Sequence, residues 1–238
     1  MKENPFEYTP FVKTQSLGKK TMTQIGKSGA LVIFVLDRSG SMQDGQAINH
    51  LNAAVNRFAS EIVKKDPSLA NNVEMMVIAF DNSPEMVLGW TPLGSFKKGC
   101  VHLTANGGTR IAPALDQAFK NLEEKERMVN FANFTSFVSY VVLISDGAGG
   151  TVDKPACKIK ELTKNGRFKF WMLGVKNYDK KTASQLTEAG PQRFYELNDG
   201  DKFDFSPFFS ELISGITGGG DDGGKPVPPS FINTIFKL

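Results

Sequence analysis

The sequence predicts an α/β protein: a doubly wound, mostly parallel six-stranded sheet with one antiparallel edge strand and helices on both faces. Two observations lead to this fold class. Short runs of apolar residues, typical of strands buried on both faces, alternate along the chain with segments whose apolar residues recur every three or four positions. Because such alternation forms parallel strands joined by crossover helices, we expect helices to cover both faces of the sheet.

The first strand and the first helix are predicted near the start of the regular pattern. Residues 31–36 are all apolar and are followed by Asp37, which is typical of a central parallel strand. A helix is then predicted from Gln46 to the residues before Asp66-Pro67. Its apolar stripe consists of Leu51, Val55, Phe58 and Ile62. A helix therefore follows the first strand along the chain.

An antiparallel hairpin is predicted next, at one edge of the sheet. Residues 73–80 and 85–90 are apolar enough for two strands, and Asp81-Asn82-Ser83-Pro84 between them is typical of a tight turn. A glycine-rich loop, Asn106-Gly107-Gly108-Thr109, then leads into a helix that begins near Ile111. Pro113 is compatible with the first turn of this helix.

The second half of the chain repeats the pattern of strand, loop and helix. Residues 138–145 form a predicted strand that ends at Asp146 and is followed by a glycine-rich loop. The remaining predicted elements are a helix at 154–164, a strand at 168–175, a helix at 180–189, a strand at 193–197 and a helix at 205–216. These elements complete the six strands.

The same patterns divide the chain into three parts. Residues 1–30 are predicted to be an N-terminal extension, and residues 31–217 are predicted to form the domain. Residues 218–238 are predicted to be a tail, because a run of glycines and aspartates and then a proline-rich stretch interrupt the periodicity.

Composition excludes several classes of protein. Lys and Arg number 28 against 25 Asp and Glu, and the net charge of +3 includes no long basic run, so we expect no nucleic-acid partner. The first residues lack the apolar core of a signal peptide, and no run of eighteen apolar residues occurs, so we expect a cytoplasmic protein without a membrane partner. Cys100 and Cys157 are predicted to be buried thiols rather than a disulfide.

Polar residues follow two of the predicted parallel strands, and ligands bind at the carboxyl ends of strands in open sheets. Asp37 and Asp146 lie at such ends. In the loop Asp37-Arg38-Ser39-Gly40-Ser41, the three oxygen-bearing residues Asp37, Ser39 and Ser41 alternate, and Gly40 lets the backbone turn tightly. Hydroxyl and carboxylate oxygens suit hard cations, so Mg²⁺ is the first choice, with Mn²⁺ or Ca²⁺ as substitutes. Asp and Ser after a strand also commonly cap the next helix, and this segment alone leaves that alternative open.

Three motifs together resemble the von Willebrand factor A family. Asp37-Arg38-Ser39-Gly40-Ser41-Met42 is similar to its D-x-S-x-S signature, Gly107-Gly108-Thr109 to its second loop and Ser145-Asp146-Gly147 to its third. The resemblance implies a Rossmann-like fold with a metal-ion-dependent adhesion site. Ser39 and Ser41 would bind the metal directly, Thr109 directly or through water, and Asp37 and Asp146 mainly through waters.

The family resemblance also implies a function. The open coordination position of the metal would take a Glu or Asp of a partner protein, and the oligomeric state stays open. Within the family, the motifs are similar to those of bacterial intracellular members such as the tellurium-resistance group, which implies a role in stress response or phage defence. An alternative from another class is a metal-assisted hydrolase, because a Mg²⁺ ion with open positions can also activate water. Since no general base beyond the metal's own carboxylates is evident, we expect a binding module rather than an enzyme.

Overall fold

The computed structural model describes residues 29–131, 137–147, 150–164, 166–176, 178–188, 193–197 and 203–217. Within these ranges the chain forms a six-stranded sheet with helices on both faces, which confirms the predicted fold class. The predicted tail, and the predicted extension apart from residues 29 and 30, lie outside the described residues, so the boundaries of the domain stay predictions.

In the part of the chain that the structure describes, the sheet contains five parallel strands and one antiparallel edge strand. The strands are β1 (Gly29–Asp37), β2 (Val73–Phe80), β3 (Pro84–Pro92), β4 (Phe137–Ser145), β5 (Phe168–Val175) and β6 (Arg193–Leu197). Their order across the sheet is β3-β2-β1-β4-β5-β6. Only β3 runs antiparallel to its neighbour, and its register with β2 is irregular around Val77. The hairpin predicted at the edge of the sheet is therefore confirmed.

Five α-helices of the described residues connect or follow the strands: α1 (Ala47–Lys65), α2 (Ile111–Phe131), α3 (Asp153–Thr163), α4 (Lys180–Thr187) and α5 (Ser206–Thr217). Short 3-10 helices lie at Gly40–Gln46, Pro67–Ala70 and Leu93–Ser95. The predicted bounds of α1, α3, α4 and α5 lie within about two residues of these, a usual margin for helix ends, whereas only the beginning of α2 was predicted. The irregular segment Gly40–Gln46, which separates β1 from α1, was not predicted. Among the described helices, none is both long and apolar enough to cross a membrane.

The core consists of two apolar layers, one on each face of the sheet. In β1 the even-numbered residues 32–36 pack with α1 and α5, whereas the odd-numbered residues 31–35 pack with α2, α3 and α4. This division follows from the period of two in a strand. In the first layer the ring of Phe34 lies 4.9 Å from that of Phe58 and 5.7 Å from that of Phe209, measured between centroids. The continuous apolar run of β1 is thus explained by burial on both faces.

The prediction of buried thiols is wrong, because Cys100 and Cys157 are both exposed and unpaired. In α3 the buried positions are Pro155 and Ile159, so Cys157 between them lies on the outward side of the helix. Cys100 lies in a loop, where the neighbouring Val101 is the buried residue. The position of Cys157 follows from helix geometry, because a residue halfway between two core-facing residues four positions apart points away from the core.

We expect Phe34→Ala to lower the free energy of unfolding by about 3–5 kcal/mol, because it removes a fully buried ring from a packed aromatic cluster. Urea unfolding at equilibrium measures the effect. The matched control is Met128→Ala, at a side chain that is 67% exposed, which should change stability by less than about 0.5 kcal/mol. A loss below about 1 kcal/mol for Phe34→Ala would contradict this view of the core.

Candidate functional site

The candidate site lies at the carboxyl edge of the sheet, between β1 and β4. These strands are neighbours, but the chain leaves β1 toward β2 on one side and leaves β4 toward β5 on the other. The loops that follow them therefore diverge and leave a crevice, which is where ligands bind in open α/β sheets. Asp37 is the last residue of β1, and Asp146 directly follows β4. Both predicted carboxylates thus lie at this crevice.

The Asp37 carboxylate connects the ends of the two strands. Its side chain has no exposed surface. Oδ1 accepts a hydrogen bond of 2.8 Å from the backbone N–H of Ser39, and Oδ2 accepts one of 2.6 Å from the hydroxyl of Ser145. The Ser145 hydroxyl in turn accepts a hydrogen bond of 3.2 Å from the backbone N–H of Gly147. Asp37 therefore shapes both loops of the crevice.

Three further predicted oxygens converge beside Asp37. The Ser39 and Ser41 hydroxyl oxygens lie 3.1 Å apart, and they lie 3.4 Å and 3.0 Å, respectively, from Oδ1 of Asp146. In an octahedral Mg²⁺ site with bonds of about 2.1 Å, neighbouring ligand oxygens are about 3 Å apart. The triangle of oxygens is therefore close to the size of one face of such a site.

Thr109 reaches the same place from the loop before α2. A β-carbon on Gly147 would lie 2.8 Å from Oγ1 of Thr109, so only glycine permits this close approach. The Thr109 loop is also joined to the first loop, because the N–H of Gly40 donates to the carbonyl of Gly107 at 3.1 Å. The structure thus brings all five predicted residues to one crevice: hydrogen bonds link Asp37, Ser39, Ser41 and Asp146, and Thr109 packs against the residue after Asp146.

Two buried asparagines on α1 support the segment that leads to Thr109. Asn52 exchanges two hydrogen bonds of 2.8 Å with the backbone of Leu103. Asn56 donates to the carbonyl of Val101 at 2.6 Å and accepts from the N–H of Gly99 at 2.8 Å. Their side chains thus satisfy backbone groups that no neighbouring strand reaches. This role was not predicted. The signal for it in the sequence is a pair of asparagines four residues apart, next to the apolar stripe of α1.

The β2–β3 turn supports the same loop from the opposite side. Nε of Arg38 lies 3.1 Å from Oδ2 of Asp81, and Nη1 of Arg38 lies 2.7 Å from Oε2 of Glu85. The side chain of Asn82 accepts a hydrogen bond of 3.1 Å from the N–H of Gly108. The predicted hairpin is therefore part of the site as well as of the sheet edge. The sequence indicated the turn but not these contacts.

Burial raises the pKa of both carboxyls of the site. For Asp37, loss of solvent raises the pKa to about 6, even though the hydrogen bonds from Ser145 and Ser39 oppose the shift. For Asp146, burial again raises the pKa, and the hydrogen bond from Ser41 and the charge of Lys176 oppose the change. Ionising both acids is therefore costly without a compensating positive charge.

The residues of the crevice fit a hard divalent cation. In the part of the chain that the structure describes, no group of three or more His, Cys, Asp or Glu side chains is placed to hold a metal. The crevice instead offers hydroxyl oxygens together with two carboxylates. Such oxygens suit Mg²⁺ or Ca²⁺ rather than softer metals. A cation would also favour the ionised form of carboxyls whose pKa burial has raised.

Comparison with known proteins agrees with the resemblance that the motifs predicted. Residues 32–148 match the model of the von Willebrand factor type A domain, and this match spans all five site residues. The fold, with its six-stranded sheet and one antiparallel edge strand, is also of the von Willebrand factor A type. Domains of this family typically mediate protein–protein interaction or adhesion, are usually non-catalytic and often bind divalent cations. No curated protein matches the sequence.

Solved structures show the same fold at low sequence identity. Von Willebrand factor type A from Catenulispora acidiphila is 20% identical, with a TM-score of 0.58, over 80% of this chain and 43% of that one. The pilus adhesin SpaC from Lactobacillus rhamnosus GG is 12% identical, with a TM-score of 0.60, over 80% of this chain and 31% of that one. The vWF domain of the type V pili tip protein Mfa5 from Porphyromonas gingivalis is 13% identical, with a TM-score of 0.54, over 84% of this chain and 98% of that one. The chain thus spans less than half of the first two proteins.

The raised pKa of Asp37 predicts a pH dependence of stability in the metal-free protein. The unfolded chain releases this proton near pH 4, whereas the folded protein holds it to about pH 6. Because the folded state binds more protons in this window, its stability falls as pH rises through it. Compared with Asp37→Asn, the wild type should lose about 2.5 kcal/mol of unfolding free energy between pH 4 and pH 7.

Urea unfolding at several pH values, with chelator present, measures this difference. Asp116→Asn is the matched control, because Asp116 is exposed on α2, and its profile should follow that of the wild type. Parallel profiles for the wild type and Asp37→Asn would show that burial does not perturb this carboxyl.

Proposed function

We propose that this chain binds a partner protein through a divalent cation, Mg²⁺ in the first instance, held by Asp37, Ser39, Ser41, Thr109 and Asp146. The observation that carries the proposal is the convergence of the Ser39, Ser41 and Asp146 oxygens, 3.0 to 3.4 Å apart, at the switch point of the sheet. Ser39, Ser41 and Thr109 offer hydroxyls to the cation, and Asp146 offers a carboxylate. Asp37 orders Ser39 and the loop after β4 through its two hydrogen bonds.

The charge of this set explains why the site would bind an acid. Asp37 and Asp146 together carry two negative charges, and the hydroxyls carry none. The two acids balance the charge of a bound Mg²⁺ without exceeding it. At an open coordination position the cation therefore still exerts attraction on a further anionic ligand. When bound, the cation supplies this attraction to a Glu or Asp of the partner.

The surroundings of the site are open to a macromolecule. Asp37 and Ser39 are buried, but Gly40, Ser41 and Gly107 are exposed. The rim that a partner would contact thus includes these small residues, which let another protein approach closely at those points. Since a single charge-assisted contact gives limited affinity, neighbouring loops would supply the rest of the contact and the specificity.

We also propose a cellular setting, the bacterial cytoplasm and a stress-response or defence system such as tellurium resistance. The support for it is the similarity of Asp37-Arg38-Ser39-Gly40-Ser41-Met42 and Gly107-Gly108-Thr109-Arg110 to that group. Purification of the tagged chain from its native cells, with Mg²⁺ and with chelator, tests this setting. Metal-dependent recovery of proteins from another compartment would contradict it.

Ser39→Ala and Asp37→Asn should each weaken Mg²⁺ binding by at least about tenfold. Ser39→Ala removes a ligand, and Asp37→Asn removes the support of that ligand. Titration calorimetry with Mg²⁺, and with Mn²⁺ as a second probe, measures the affinity. Ser60→Ala, at an exposed serine of α1, is the matched control and should bind like the wild type. Unchanged affinity in folded Ser39→Ala and Asp37→Asn would place the cation elsewhere.

Thr109→Ala should weaken capture of the partner more than it weakens Mg²⁺ binding, because Thr109 belongs to a separate loop and completes the shell around the incoming acid. A quantitative pull-down in Mg²⁺ or in chelator gives the first effect, and calorimetry gives the second. Thr104→Ala, at an exposed threonine earlier in the same connection, should leave both unchanged. Equal losses of the two affinities in Thr109→Ala would contradict this role.

A further inference from the structure

Unusual backbone conformations cluster at the loop that carries Ser41. Among the residues that the structure describes, the non-glycine residues with positive φ are Gln46, Lys176 and Phe203, at 60°, 58° and 52°. Gln46 ends the segment Gly40–Gln46, and both Lys176 and Phe203 contact that segment. Left-handed conformations are costly for such residues and persist only where surrounding contacts impose them. One residue of this loop and two residues that contact it share this conformation, which indicates that surrounding contacts impose the shape of the loop.

Lys176 directly follows β5 and reaches across to this loop. Its Nζ donates a hydrogen bond of 2.8 Å to the carbonyl oxygen of Ser41, and its side chain is only 12% exposed. The ammonium also lies 5.3 Å from the centre of the Phe203 ring and 3.7 Å from Oδ2 of Asp44. Because Asp44 is 82% exposed, that ion pair contributes little. The Ser41 carbonyl and the Phe203 ring therefore determine where the ammonium lies.

Phe203 fixes the other end of the same loop. A β-carbon on Gly45 would overlap the Phe203 ring, so the ring lies directly against the backbone there. Gly45 itself has a φ of 60°, which glycine adopts without strain. The Lys176 ammonium thus lies between a ring that packs on Gly45 and the backbone of Ser41.

The ammonium is also close to the proposed cation site. Ser41 accepts from Lys176 through its carbonyl, and it donates from its hydroxyl to Oδ1 of Asp146 at 3.0 Å. A positive charge is therefore held at the backbone of Ser41, the residue whose hydroxyl would bind the metal. The charge of Lys176 also lowers the pKa of Asp146, against the larger effect of burial.

We propose that Lys176 is a positioning residue that acts as a built-in cation: in the metal-free protein its ammonium fixes Ser41 and partly neutralises Asp146, and it thereby limits how tightly a divalent cation binds. This inference rests on the proposed function, because it concerns the same oxygens. It adds a residue outside the three loops that the sequence motifs identify.

The two parts of this role have opposite consequences for metal affinity. Loss of an anchor for Ser41 can only weaken Mg²⁺ binding, whereas removal of a nearby positive charge strengthens it through Coulomb attraction. We expect the charge to dominate, because Ser41 is also held by its hydrogen bonds to Ser39 and Asp146. Damage to the fold cannot produce tighter binding, so the sign of the change is diagnostic.

The first experiment measures Mg²⁺ affinity by calorimetry for the wild type, Lys176→Met and Lys176→Arg. Lys176→Met should bind Mg²⁺ about three- to tenfold more tightly, and Lys176→Arg, which keeps the charge, should bind like the wild type. Lys160→Met is the matched control, because Lys160 is exposed on α3 and its loss changes the net charge equally. Unchanged or weaker binding by Lys176→Met would overturn the proposal.

The second experiment requires no metal. A double-mutant cycle of Lys176→Met and Asp146→Asn, unfolded by urea in chelator, measures whether the two side chains interact. The loss of stability caused by Lys176→Met should fall by about half or more once Asp146 is neutral, because the ammonium then has less charge to compensate. Additive losses would overturn the pairing of Lys176 with Asp146.

The two experiments separate this inference from the proposed function. If the wild type binds no Mg²⁺, the proposed function fails, and the cycle alone decides whether Lys176 compensates Asp146. If the wild type binds Mg²⁺ but Lys176→Met binds no more tightly, the proposed function stands and the role of Lys176 as a competing charge is wrong.

Discussion

The position of β1 between β2 and β4 is the constraint on which the rest of the molecule depends. Because β1 pairs with a parallel strand on each side and is buried on both faces, helices must cover both faces of the sheet. The chain must then leave β1 and β4 toward opposite sides, and their loops diverge. The crevice is thus a consequence of strand order, and the loops supply it with the hydroxyls and with the carboxylate of Asp146.

The sequence could predict the strands and the helices because their signals are local, and the resemblance of three short motifs to a known family identified the five candidate site residues. In residues 31–37, for example, the apolar run indicates a strand, and the acid that follows it lies at the carboxyl end, where ligands bind in such sheets. Contacts between distant parts of the chain have no such signal. Asn52 and Asn56 bind a segment 51 and 45 residues away, and an amide on a helix does not indicate its partner. Lys176 was missed for the same reason, since it lies 135 residues from Ser41.

The site balances two demands that conflict. Buried carboxylates must be available to a cation, yet the chain must fold before any cation arrives, and an uncompensated buried charge is costly. Hydrogen bonds from Ser39 and Ser145 to Asp37, and from Ser41 to Asp146, offset part of that cost. Burial nevertheless raises the pKa of both acids, so the hydrogen bonds do not fully offset the loss of solvent. The polar network is therefore satisfied without metal but still gains from a positive charge.

The edge strand β3 has a consequence for how the protein behaves at high concentration. A strand at the border of a sheet exposes unpaired backbone groups that can pair with another copy of the chain and lead to aggregation. Here β3 begins at Pro84 and ends at Pro92, and neither proline has an N–H to donate. Its pairing with β2 is also irregular around Val77, and irregular strands twist away from a flat template. The two prolines therefore confine intermolecular pairing along β3 to the residues between them, which favours solubility over fibre formation.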